Sequence, residues 1–75
     1  MTLVEETLTV WREAERLLKT MPPLEPDHES VRMLVIELRD MYAALSGRDE
    51  SAATVTRSRE LIDRARKQLR LVRLS

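Results

Sequence analysis

All three prolines of this 75-residue chain fall within five positions, as Pro22, Pro23 and Pro26, and no other feature limits the fold as sharply. Proline lacks an amide donor and pushes the preceding residue out of the helical region, so Pro22-Pro23 ends any helix arriving from the N-terminal side. Upstream, apolar residues recur as Leu3/Val4, Leu8, Val10/Trp11, Ala14, Leu17/Leu18 and Met21, with Glu15 intruding among them. Downstream they recur as Val31, Leu34/Val35, Leu38, Met41/Tyr42 and Leu45. Spacings of three and four are those of one helix face. The prolines therefore divide two amphipathic helices, and a loop over 22–25 folds them into an antiparallel hairpin. That alignment sets Leu18 near Val31, Trp11 near Leu38 and Val4 near Leu45.

The helix ends carry their own signals. Thr2 followed by Glu5 is a capping-box pattern, which starts the first helix at 2 and carries it to 21. Pro26 suits the first turn of a second helix over 26–46, where its missing donor is no loss, and Asp27 and Glu29 complement the positive end of the helix dipole. Gly47 is expected to close that helix in a left-handed conformation. A third helix over 49–73, with Asp49 as N-cap, places Val55, Leu61/Ile62, Ala65, Leu69 and Val72 on one stripe. Ser51, Thr54 and Ser58 occupy stripe positions where larger residues would bury more area. They imply either close helix approach or a first turn that frays until bound. With a single glycine and no period-two alternation, strands find no support. The predicted fold is all-α: an antiparallel helical hairpin plus a third amphipathic helix, one three-helix bundle.

A chain of this length buries only roughly 60% of its unfolded surface, so a lone monomer has a thin margin of stability. Small domains compensate with disulfides, a metal or association. Cysteine is absent, which removes disulfides and Cys-based zinc sites. Association is what remains. The longest apolar run, Met41 to Leu45, is too short for a signal sequence or a membrane span. A cytoplasmic location is the expectation.

Charge is segregated along the chain. Residues 1–50 carry six basic residues against eleven carboxylates, whereas 51–75 carry seven against Glu60 and Asp63 alone. A net charge of zero thus combines an acidic hairpin with a basic third helix. Opposite fields of this kind favour association, within the chain or with a partner.

Catalytic readings lack their residues. Nucleophilic chemistry needs an activated nucleophile beside a base, and the one imidazole, His28, sits at a helix start among Glu25, Asp27 and Glu29. Those four cannot converge on a metal from one helical turn, so capping and solubility explain them better. One glycine rules out a glycine-rich phosphate loop. No catalytic, metal or cofactor-binding residue is expected, and the protein is expected not to be an enzyme.

Binding readings have more to stand on. Met33 and Ile36 lie opposite the hairpin seam, where either the third helix covers them or a second hairpin packs in a homo-oligomer. On the third helix, Arg59, Arg66, Arg70 and Arg73 flank the apolar stripe on one side, and Arg57, Arg64 and Lys67 on the other. That geometry suits an acidic helical partner, a phosphate backbone or an anionic membrane surface. The bland alternative pairs these charges with the acidic hairpin and with local Glu60–Arg64 and Asp63–Lys67 couples. Leu71 and Leu74 point off the core stripe and leave the end of the third helix underused by a monomer. Trp11 and Tyr42 sit on the main seams and read as core.

The run Trp11 to Arg16, the Pro22-Pro23 break and the run Leu38 to Tyr42 resemble helical hairpins of small bacterial proteins, a resemblance that implies the hairpin and no activity. The expected function is a non-catalytic protein–protein interaction module, self-associating or docking on a larger bacterial assembly through Met33, Ile36, Arg59, Arg66, Arg70, Leu71, Arg73 and Leu74. The alternative is an accessory factor whose basic third helix contacts nucleic acid or a ribonucleoprotein.

Overall fold

The computed structural model, which describes residues 2–47 and 51–74, contains three helices: α1 (Leu3–Thr20), α2 (His28–Ser46) and α3 (Ala52–Leu74). They form an all-α three-helix bundle, and no strand occurs among the described residues. Asp49, expected as an N-cap, lies outside them.

Capping explains where α1 begins. The Glu5 amide donates to Thr2 Oγ1 at 3.2 Å, and the Thr2 hydroxyl donates to the Glu5 carboxylate at 3.0 Å. At its other end the Met21 amide reaches the Leu18 carbonyl while Met21 turns to extended backbone ahead of Pro22. The chain then reverses in two successive tight turns, Glu25 N–H to Pro22 C=O and His28 N–H to Glu25 C=O, both 3.0 Å. Pro26 belongs to this reversal and not to the first turn of α2, which starts two residues later than expected. Gly47 is a second correction. It ends α2 at φ −78°, ψ 9°, an ordinary conformation, with its amide bonded to the Ala43 carbonyl.

The core gathers Val10 and Ala14 of α1, Leu34 and Leu38 of α2, and Leu61, Ile62, Ala65 and Leu69 of α3. Leu3, Trp11, Leu17, Val35 and Met41 pack around it. The helices do not share this burial evenly. α1 packs extensively on α2 and substantially on α3, whereas α2 and α3 meet least. α1 is the common strut.

Small residues bring α1 and α3 together. Ala14 and Ala65 are both fully buried in the same cluster, and Thr7, Thr54 and Ser58 are buried polar residues. Their hydroxyls do not go unmet: Thr7 donates to the Leu3 carbonyl and Ser58 to the Thr54 carbonyl, each at 2.8 Å. A buried hydroxyl satisfied by its own helix carries little penalty. Of the two expectations for this turn of α3, close approach is the one the packing fits.

The bundle is a short rod, 38 × 19 × 18 Å. Its accessible area of 5268 Å² compares with about 12,800 Å² for an unfolded 8.8 kDa chain, so the buried share is the roughly 60% expected at this size.

Candidate binding surfaces

The weak meeting of α2 and α3 leaves a groove. Ala44 faces Arg57 near one end, Glu37 pairs with Arg64 midway, and Met33 faces Gln68 near the other, so the two helices run antiparallel along it. Its deeper section, about 590 Å³, has Met41, Ala44 and Leu61 as an apolar floor and Glu37, Asp40, Glu60, Arg57 and Arg64 as its rim. Beyond the Glu37–Arg64 bridge it continues over Met33 and Leu34 toward Glu29 and Ser30. Carboxylates predominate on this rim.

At the far end of α2, Arg32 holds Glu29 in a two-point hydrogen bond, Nε to Oε2 at 3.0 Å and Nη2 to Oε1 at 2.6 Å. That hydrogen bond, aided by the guanidinium charge, keeps the Glu29 carboxyl below the ordinary glutamate value. The same pairing raises Arg32.

The opposite flank of α3 faces α1 and has different chemistry. Arg12, Arg16 and Arg73 line one concavity with Thr9, Glu13, Leu17 and Thr20. Arg66, Arg70 and Arg73 line the next one with Glu13 and Leu69. The two share Glu13 and Arg73, which form an ion pair across the helices. Five arginines thus meet one carboxylate along the α1–α3 edge.

The positions singled out from the sequence separate on these surfaces. Met33 is 45% exposed and lines the α2–α3 groove. Ile36 is half-buried, outside the core cluster and outside the groove lining. Arg66, Arg70 and Arg73 come together at the α1–α3 edge, and Arg59 is exposed. Leu71 is 67% exposed, as its off-stripe position implies. Leu74 ends α3, and its side chain lies outside what is described. The Asp63–Lys67 couple forms at 3.1 Å, but Arg64 reaches Glu37 of α2 instead of its neighbour Glu60. Sequence reasoning missed Arg12 and Arg16. Their shared side of α1 was visible in the i, i+4 spacing, but their convergence with α3 depends on how the helices assemble.

No group of three or more His, Cys, Asp or Glu side chains is placed to hold a metal among the described residues, and no helix there is long and apolar enough to cross a membrane. No protein-family model, curated protein or solved structure matches the chain.

Proposed function

We propose that this protein is a non-catalytic interaction module whose α2–α3 groove receives an amphipathic helix from a protein partner. The observation that carries the reading is the uneven packing of the bundle: α1 is sandwiched, while α2 and α3 part over an apolar floor. A fourth helix laid there buries Met33, Met41, Ala44 and Leu61 and converts three helices into four, the usual geometry of helix-in-groove recognition. The rim selects the occupant. The lining itself is acidic, with Glu29, Glu37, Asp40 and Glu60 against Arg57 and Arg64, while Arg32 and Arg39 pair with Glu29 and Asp40 from outside it. A helix with basic residues flanking its apolar stripe is therefore more complementary than a second copy presenting the same groove.

Two designed peptides test this, each with a leucine stripe, one flanked by arginine and one by glutamate. Fluorescence anisotropy should register binding of the arginine-flanked peptide alone, and Met33→Glu with Ala44→Glu should weaken it at least tenfold. Sedimentation of the free chain supplies the competing outcome. A stable dimer that Met33→Glu dissociates would replace the foreign helix with a second copy, and indifference to both peptides by a monomer would remove the groove as a docking site.

A further inference from the structure

We infer that the α1–α3 edge is a second, independent binding site that grips the phosphodiester backbone of a nucleic-acid duplex through Arg12, Arg16, Arg66 and Arg70, with the Glu13–Arg73 pair between them. Arg12, Arg16, Arg66 and Arg70 have no ion pair among the described residues, although carboxylates are as numerous as basic residues in the chain. Four guanidinium groups without acidic partners on one edge are unfavourable to one another, and an anion relieves that repulsion. Glu13 is the single carboxylate lining either concavity, and it is already engaged by Arg73.

Spacing favours a repeating anion. Arg12 and Arg16 are one helical turn apart, as are Arg66 and Arg70, which separates each pair by about 6 Å along its axis. From Arg66 to Arg73 the row extends about 10 Å. Two such rows on adjacent helices can hold several successive phosphates, and the planar fork of arginine matches phosphate oxygens two at a time. Thr9 and Thr20 also line the first concavity, but their hydroxyls donate to the Glu5 and Leu17 carbonyls, which leaves the arginines as the donors.

The surroundings decide between polyanions. Single strands are held by stacking bases on exposed aromatic rings, whereas Trp11 and Tyr42, which share a third concavity with Arg12 and Arg16, are half-buried, pack on each other and line neither of the two concavities that meet α3. A membrane surface calls for several protruding apolar anchors beside the charges, whereas Leu69 is 2% exposed, Leu17 packs on the core, and Leu71, though 67% exposed, lines neither concavity. A duplex needs neither. Without groups aimed at base edges, the contact is indifferent to sequence.

The test is anisotropy of a labelled mixed-sequence duplex titrated with the full chain at several salt concentrations. With Arg73 held by Glu13, four phosphate contacts give a slope of log affinity on log salt near −3.6, so affinity should fall about 150-fold between roughly 50 and 200 mM. Arg12→Gln with Arg70→Gln should flatten the slope by about 1.8, and Arg16→Gln with Arg66→Gln should do the same. Arg39→Gln with Lys67→Gln removes equal charge elsewhere and should leave the slope unchanged. All six side chains are exposed, so circular dichroism should be unaltered in each variant. Equal losses in all three pairs, tighter binding of a single strand, or binding only to phosphatidylglycerol vesicles or a polyglutamate peptide would each overturn the assignment, as would no duplex binding at about 50 mM salt.

Discussion

The rings of Trp11 and Tyr42 lie with centroids 5.6 Å apart and planes inclined by 36°, bridging α1 and α2 where the hairpin seam meets solvent. Tilted pairs at this separation gain about 0.5–1.5 kcal/mol beyond the area they bury. The contact comes with a flaw, because the Trp11 Nε1 donor is buried with no hydrogen-bond partner.

A double-mutant cycle on this pair, Trp11→Leu and Tyr42→Leu, should return a coupling of about 1 kcal/mol in urea unfolding followed by circular dichroism. Trp11→Phe should be milder than Trp11→Leu, since it keeps a ring and discards the unsatisfied donor. A coupling near zero would mean the rings merely adjoin.

Close approach of α1 and α3 at Ala14 and Ala65 makes those positions intolerant of size. Ala65→Leu should lower unfolding stability by about 1–3 kcal/mol, because a fully packed site has no room for added methylenes. Ser58→Ala, which removes a hydroxyl bonded only within its own helix, should stay within about 0.5 kcal/mol of the parent protein. Thermal denaturation of the two variants should separate them plainly.

Gly47 should be replaceable. Its φ is negative, and a Cβ there would meet only the Ala43 and Ala44 carbonyl oxygens at 3.5 Å, ordinary contact distance. Gly47→Ala should therefore stabilise by about 0.4–1 kcal/mol by restricting the unfolded chain. A drop in melting temperature would place Gly47 in a left-handed conformation after all.

Glu29 should titrate below the ordinary glutamate value, and Arg32→Gln should bring it back up, as read from side-chain carboxyl chemical shifts. The sign follows from the shift: the pairing favours the folded state above the unfolded glutamate pKa and is lost as pH falls through the lowered folded value. Both side chains are exposed, so added salt should shrink the difference. A carboxyl unmoved by Arg32→Gln would exclude the two-point bond in solution.

The hairpin and the α3 stripe were legible because each rests on short-range periodicity, which needs no knowledge of the partner helix; Val31, Leu38, Ile62 and Leu69 all lie buried where the spacing puts them. Boundaries were less so. Pro26 is compatible with a first helical turn and with a tight turn, and only the Glu25–His28 hydrogen bond decides for the latter. Arg64 had a plausible partner at Glu60, and a helical wheel cannot reveal that Glu37 stands closer across the groove. Arg12 and Arg16 likewise read as a solvated face until α3 is laid parallel to α1, which brings Arg73 beside Leu17 and Thr20.

That parallel placement also fixes how the polypeptide passes through the body. The chain comes in beside Thr2 at one pole and, after three traverses, departs with Leu74 at the other, the pole of the proline turn. Any sequence fused ahead of the first helix and any fused behind the last are thereby attached toward opposite ends of a rod whose long dimension is 38 Å.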